Sequence, residues 1–300
     1  MAKISQRLYQ LFSSTDFQAA ANNLRNELPH SICLYQSFRT AAAAQVEETK
    51  IEAFQFQPQG SNSPCCWAVI LREKFRPDHR AIHFYFQRFT PSAVVEEFLT
   101  ELHQRGSFSL TGTETADLAA TSKQWSALLL SFFSKLVKIR SSNFAWCKSY
   151  WIPPGATSQK LLETEMKAPE GFIWDSLCQA DVPSVCNSWS IQFAHKEEYT
   201  AMNVREFPSV CLRTVDQGQL ASFQTTDYRG QMSNLYTFPE FRRKGLATVV
   251  ELKLAQEMIK AGMVPYKYVF LTNETAIEMS EKSDIWEYAE DDVAWIGLTT

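Results

Sequence analysis

The sequence has no apolar run near the ~18–20 residues that a membrane-spanning helix requires, and no signal-peptide core. CxxC pairs are missing as well. The seven cysteines (Cys33, Cys65, Cys66, Cys147, Cys178, Cys186, Cys211) are an odd, scattered set. Adjacent Cys65 and Cys66 suit neither a zinc site nor a disulfide framework, so the set reads as reduced thiols in an intracellular protein. The five histidines (His30, His79, His83, His103, His195) show no HExxH or other metal spacing, and no metal is expected. No GxSxG exists to anchor a hydrolase triad. There is no excess of positive charge: the net charge is −4 and the pI is near 5.8, which removes the footprint of a general nucleic-acid binder.

What is present is enough apolar material for real cores. Of 300 residues, 45% are hydrophobic and 21% charged, which fits one large or two modest domains and excludes a disordered chain. The start, "MAKISQRLYQLFSST", has two basic residues and no acid before Asp16, the composition of a mitochondrial presequence. Because "FQAAANNLRNEL" continues a helical pattern up to Pro29, we read an ordinary first helix and a cytoplasmic rather than mitochondrial protein.

"SICLYQSF" reads as a short strand, followed by strands in "KIEAFQFQPQ", "CCWAVILR" and "RAIHFYFQRF". A helix is expected from Pro91 to Gly106 and another in "SKQWSALLLSFFSKLVKIR". These elements make an α/β half over 1–151. Residues 152–171, with three prolines and two glycines, read as a linker, or else as a long loop inside a single domain. In 172–300 the pattern is a strand "GFIWDSL", a helix capped by Asp181 and a helix "HKEEYTAMNVREF". Strands "SVCLRTV", "QLASFQTTD" and "QMSNLYTF" follow, turning at 216–218 and 228–230. A helix over 245–261, a strand "YKYVFLT", a short helix from Asn273 and a final strand "DVAWIGL" complete the chain. No internal sequence repeat is visible.

The chemistry concentrates at "FPEFRRKGLATVVELKLAQ", residues 238–256. Leu246, Val250, Leu254 and Met258 recur every fourth residue, so this helix has an apolar side for a sheet, with Glu251, Gln256 and Glu257 largely off it. Its N-terminus presents unpaired N–H groups and the positive end of the helix dipole. A glycine there permits close approach of a ligand, and Arg242, Arg243 and Lys244 add charge. That combination suits a pyrophosphate. The junction contains neither a Walker loop nor a dinucleotide fingerprint.

Arg242-Arg243-Lys244-Gly245-Leu246-Ala247 resembles the Arg/Gln-x-x-Gly-x-Gly/Ala coenzyme-A loop of the GNAT superfamily of N-acyltransferases. It also stands in that superfamily's order, after three antiparallel strands and before helix, strand, helix, strand. "YTFPEFRRKGLATVVELKLAQEMIKAGMVPYKYVFLTNETAIEMS" is similar, more narrowly, to the C-terminal domain of the glycine N-acyltransferase-like family, as is the upstream "VCNSWSIQF". The resemblance covers about 175–300. It implies two GNAT-like domains, each a mixed, mostly antiparallel sheet flanked by helices. It also implies acyl transfer from acyl-CoA to the amino group of glycine or another small amine or amino acid. Strand 234–238 would splay from 267–272, with the backbone of Leu235, Tyr236 and Thr237 holding the pantetheine arm. Residues 242–247 would hold the pyrophosphate, and Asn273 would cap its helix near the cofactor.

The sequence departs from that family at the base. The glutamate expected nine residues before Glu240 is Gln231, and an amide cannot act as a general base. Asp227 and Glu240 are the nearest carboxylates. Asp227 is expected to be solvated at its turn, and Glu240 to sit in a salt bridge. Ser280 stands where many GNAT enzymes carry a tyrosine proton donor; it could hydrogen-bond the sulfur or be an ordinary surface helix serine. Three readings therefore stand: an acyl-CoA-dependent N-acyltransferase, a lapsed CoA-binding or scaffold protein, and a protein N-acetyltransferase. The N-terminal half could offer a protein-partner surface in any of them.

Overall fold

The computed structural model of the chain describes residues 7–43, 47–107, 110 and 114–299. The chain divides into two units, Met1–Lys148 with Glu290–Thr300, and Ser149–Ala289.

The first unit runs β1 (Leu8–Leu11), α1 (Ser14–Arg25), α2 (Ile32–Ala42), β2 (Thr49–Phe56), β3 (Cys66–Glu73), β4 (His79–Phe86), α3 (Ser92–Gln104), β5 (Thr115–Ser122), α4 (Lys123–Phe133) and β6 (Lys138–Trp151). Its sheet is completed by the chain's last strand, β12 (Glu287–Thr299), in the order β1-β2-β3-β4-β5-β12-β6. The pairs β1–β2, β2–β3 and β3–β4 are antiparallel. β4 and β5 are parallel, from His79↔Thr115 to Ile82↔Leu118, a pairing that α3 makes possible as the crossover. Phe56, Phe84, Phe86, Phe98, Trp125 and Phe133 fill the core.

Several expectations change here. Residues 1–6 of the expected first helix lie outside the described residues, and Leu8–Leu11 pair with β2 as a strand. The helix begins only at Ser14, where Ser13 and Asp16 form a reciprocal capping box. "SICLYQSF" is helix α2. Ile32–Phe38 is buried on every side, so its sequence lacks the polar face that identifies a surface helix. The helix expected across 122–140 stops at Phe133, and β6 begins at Lys138.

In the second unit come α5 (Ala156–Glu163), β7 (Phe172–Asp175), α6 (Val182–Ser188), α7 (Lys196–Glu206), β8 (Ser209–Thr214), β9 (Leu220–Thr226), β10 (Met232–Thr237), α8 (Leu246–Lys260), β11 (Tyr266–Phe270) and α9 (Glu274–Glu281). The antiparallel sheet β10-β9-β8-β7 carries α8 on an apolar layer of Val210, Leu212, Ala221, Met232, Leu246, Val250, Leu254 and Met258. β11 is not in that sheet. The expected linker 152–171 is a structured part of this unit. Leu161 of α5 is buried, and Gln256 Nε2 donates to the Leu161 and Thr164 carbonyls at 2.9 Å each. Gln256 and Glu251, expected off the apolar face, are thus both buried.

The final strand also leaves its expected place. Residues 290–300 belong to the first unit, where β12 runs antiparallel to β5 from Val293↔Ser122 to Thr299↔Thr115. Its alternating small and apolar residues, with Ala294, Ile296 and Leu298 buried, complete that unit's core.

Candidate active site

The strand before the arginine-rich junction is irregular. Ser233 pairs with Thr225 but Tyr236 with Phe223, so β10 carries one extra residue, a bulge at which Asn234 takes a left-handed φ of 49°. Asn234 Nδ2 donates to the Val185 carbonyl at 3.4 Å. β10 is an edge strand, and β10 and β11 share no sheet. The strands on either side of α8 are therefore splayed. Three β10 carbonyls accept side-chain hydrogen bonds: Thr225 Oγ1 donates to Ser233 O at 3.2 Å, Ser222 Oγ to Tyr236 O at 3.0 Å and Arg242 Nε to Thr237 O at 3.0 Å.

After β10 the chain makes a single tight turn at Pro239–Phe241 and reaches Gly245, which opens α8 at φ 74°. A side chain is strained at that φ, yet a Cβ built at Gly245 meets nothing within 4 Å. No side chain caps α8 and no acidic residue sits in its first turn. The backbone thus faces open space with its N–H groups unmet by any cap, and the charge beside it is positive. The three cations differ. Arg242 is folded back, its guanidinium 5.6 Å from the Tyr236 ring centroid and 3.4 Å from the Tyr236 hydroxyl. Lys244 lies over Phe172 and Phe241 at 5.9 and 5.7 Å. Arg243 is exposed and left-handed at φ 65°. Leu246 is buried and anchors the helix, and Ala247 is half-buried beside it.

The remaining candidates are scattered by comparison. Glu240 is exposed and accepts from Gln219 Nε2 at 3.1 Å. Ser280 is fully buried, with its Oγ donating to the Ala276 carbonyl at 2.7 Å. Asn273 caps α9 by accepting from the Ala276 N–H at 3.2 Å.

Asp227 is the clearest correction. Expected in solvent, it is 1% exposed. Its Oδ1 accepts the N–H groups of Arg229 and Gln231 at 2.9 and 3.2 Å. Its Oδ2 takes both Nε and Nη2 of Arg229 and, at 3.4 Å, the Tyr199 hydroxyl. The turn buries because Tyr266 donates to the Arg229 carbonyl at 2.8 Å and Tyr199 packs edge-on against Tyr228. Burial works against the Arg229 charge, but the Asp227 carboxylate holds the guanidinium well above its usual range. Gln231, next to this cluster, is 9% exposed and its Oε1 has no hydrogen-bond partner.

Sequence reasoning missed a second buried cluster. Lys267 Nζ pairs with Glu251 Oε1 at 2.6 Å, Trp286 Nε1 donates to Glu251 Oε2 at 2.9 Å, and Lys267 lies 4.2 Å from the Trp286 centroid. Desolvation lowers the Lys267 pKa, and Glu251 opposes that shift. The only signal was a lysine alternating with tyrosines in a strand. Among the described residues no group of three or more His, Cys, Asp or Glu could hold a metal, and no helix is long and apolar enough to cross a membrane.

A family model described as FR47-like protein matches residues 209–290, the stretch from β8 through α9. A Drosophila protein of known structure superposes with a TM-score of 0.77 at 15% identity, over 97% of this chain and 98% of its own. A tandem GNAT protein from the clavulanic acid biosynthesis pathway matches at 0.55 and 12%, over 97% and 98%. The chain has the tandem GNAT fold. A GCN5-related N-acetyltransferase from Sphaerobacter thermophilus agrees at 0.52 and 12%, over 98% and 96%. At these identities the likeness speaks for the fold alone.

Proposed function

We propose that the protein is an acyl-CoA-dependent N-acyltransferase acting on a small amine or amino acid, of the glycine N-acyltransferase-like kind. One observation carries the reading: Gly245, left-handed and facing open space, starts an uncapped helix directly after a splayed, bulged edge strand. Residues 242–247 would hold the pyrophosphate through backbone N–H groups, with Arg243 and Lys244 supplying charge, and the β10 edge at 235–237 would take the pantetheine arm. Ser280 and Glu240 are weak candidates for chemistry, since each already has a partner pointing elsewhere. Rate would come mainly from holding amine and thioester together.

Calorimetric titration with acetyl-CoA, benzoyl-CoA and a long-chain acyl-CoA tests this directly. Saturable binding is expected, and it should be lost in Gly245→Trp while circular dichroism shows the fold retained. No binding to any of the three by folded wild-type protein would remove the proposal. Gln231 in place of a carboxylate favours a second reading, a CoA-binding protein that has lost turnover. Thioester cleavage appearing only in Gln231→Glu would select it.

A further inference from the structure

The buried polar groups around Gln231 define what an acceptor must bring. Gln231 Oε1 is an acceptor with nothing to accept, in a side chain nine-tenths buried. An unmet buried carbonyl costs free energy that a ligand N–H would recover. A second such atom stands in the same unit. Asn203 Oδ1 on α7 is also unpartnered, in a residue 4% exposed. Asn203 follows Tyr199 by one helical turn on the same face, and Tyr199 is the residue that reaches Asp227. Gln231, whose backbone N–H bonds Asp227, thus carries an orphan carbonyl oxygen beside that cluster, and a second stands on the helix that supplies Tyr199; both ask for N–H donors.

The nearby carboxylates are not available to take a proton. Asp227 already receives N–H groups from Arg229 and Gln231, the Arg229 guanidinium and the Tyr199 hydroxyl. Protonating it would leave a buried guanidinium uncompensated. Glu240 is on the surface, bonded to Gln219.

We infer that Gln231 is a positioning residue that accepts an N–H of the acceptor amine, and that the site selects amines of low pKa, which keep a substantial neutral fraction near pH 7. This rests on the acyltransferase reading above. The amine nitrogen attacks the thioester carbonyl carbon, the C–N bond forms and the C–S bond breaks. The proton shed by nitrogen ends on the departing sulfur, giving an amide and a free thiol. No enzyme base enters, so the acceptor's own ionisation controls the rate. An α-amino group flanked by a carbonyl, as in an amino-acid amide, titrates near ~7.7–8.0, whereas a lysine-type alkylamine titrates near ~10.4. At pH 7.4 the neutral fractions alone favour the former by a few hundredfold on the order-of-magnitude scale.

The test compares glycinamide with Nα-acetyl-lysine as acceptors, following kcat/KM against pH in wild type, Gln231→Leu and Gln231→Glu. Acyl-CoA binding is measured calorimetrically in each. The wild-type profile is expected to rise with an inflection that moves when the acceptor is changed. Gln231→Glu should add a limb independent of the acceptor and raise turnover of the alkylamine. Without any turnover, the same contact can be read from a bisubstrate conjugate of coenzyme A and glycinamide, whose affinity should fall roughly tenfold in Gln231→Leu. An inflection that stays fixed for both acceptors, or conjugate affinity unchanged in Gln231→Leu, overturns the inference. So does a wild type inert towards both amines beside an active Gln231→Glu. Absence of acyl-CoA binding in folded protein removes the acyltransferase reading and this inference together, whereas binding with a fixed inflection removes this inference alone.

Discussion

β4, α3 and β5 in the first unit repeat the order of β10, α8 and β11 in the second, yet one pair of strands is joined and the other is not. In the first, β4 and β5 hydrogen-bond in parallel at His79–Ile82. Phe84, Phe86 and Phe98 lie in the same apolar core. The junction between strand and helix is Gln87 to Pro91, without a glycine, and Pro91 takes the N-cap position. In the second, β10 and β11 lie in different sheets, the junction has a left-handed glycine, and the interior carries Asp227, Arg229, Glu251 and Lys267. The same frame has its two strands hydrogen-bonded together in one copy and in separate sheets in the other. Buried ion pairs are a poor source of stability and both units carry them, Arg80–Glu114 in the first and Arg229–Asp227 and Lys267–Glu251 in the second, so the difference between the copies lies in strand pairing and in the junction.

The strongest way to break this contrast is to exchange its two kinds of interior. Arg229→Met leaves Asp227 buried without its cation and should destabilise the protein by roughly 3–5 kcal/mol. Phe98→Ala in the first unit should cost about 3–5 kcal/mol by cavity formation. The discriminating variant is Asp227→Leu combined with Arg229→Met. Because removing both charges abolishes the unpaired ion, most of the loss should be recovered, as read by urea denaturation. No second substitution beside Phe98→Ala that leaves the cavity empty has that effect. Failure of the double variant to recover would mean that the turn depends on the pair itself.

A smaller effect tests the junctions. Arg242 bonds the Thr237 carbonyl and lies over Tyr236, so Arg242→Ala should loosen the loop and weaken acyl-CoA binding roughly tenfold, about the worth of a charged hydrogen bond. Arg88 lies over Phe89 at 5.9 Å, at the matching place in the first unit. Arg88→Ala should leave affinity within about twofold, since an exposed cation–π contact is worth ~0.5–1 kcal/mol at most. Equal losses in both variants would show that the first junction binds as well.

This contrast was half legible. The 238–256 junction could be read because its chemistry is local: a glycine, three cations and a four-residue apolar period describe one loop and one helix face. The strands around Trp67, Phe84 and Phe223 were also readable from β-branched and aromatic runs. The repeated frame was not. Its first copy is preceded by α2, buried all round and therefore without an amphipathic signal, and includes β5, whose "TADLAATS" has few large apolar residues. The destination of β12 depends on pairing with β5 more than a hundred residues away, which no local pattern records. Asp227 was misread because a turn sequence says nothing about the tyrosines at 199 and 266 that cover it.

The smallest effect concerns a feature the two units share. Burial pushes the Cys147 thiol in the first unit up to about 12, with Asp292 adding to the shift. Burial likewise pushes the Cys211 thiol in the second up to about 12, against a smaller opposing effect of Arg213. A thiol whose folded pKa is raised favours the folded state at any pH below its ordinary value near 9.0, and loses that contribution as pH rises towards 12. Native protein treated with iodoacetamide at pH 8 should therefore be labelled at exposed Cys178 and spared at Cys147 and Cys211. Raising the pH from 9 towards 12 should bring both buried thiols into reaction over the range in which the fold weakens. If Cys211 alone reacts first, the second unit opens locally while the first stays shut, and the contrast between them extends from architecture to dynamics. If the two react together, the openness of the second unit is confined to the β10–β11 splay and does not reach its core.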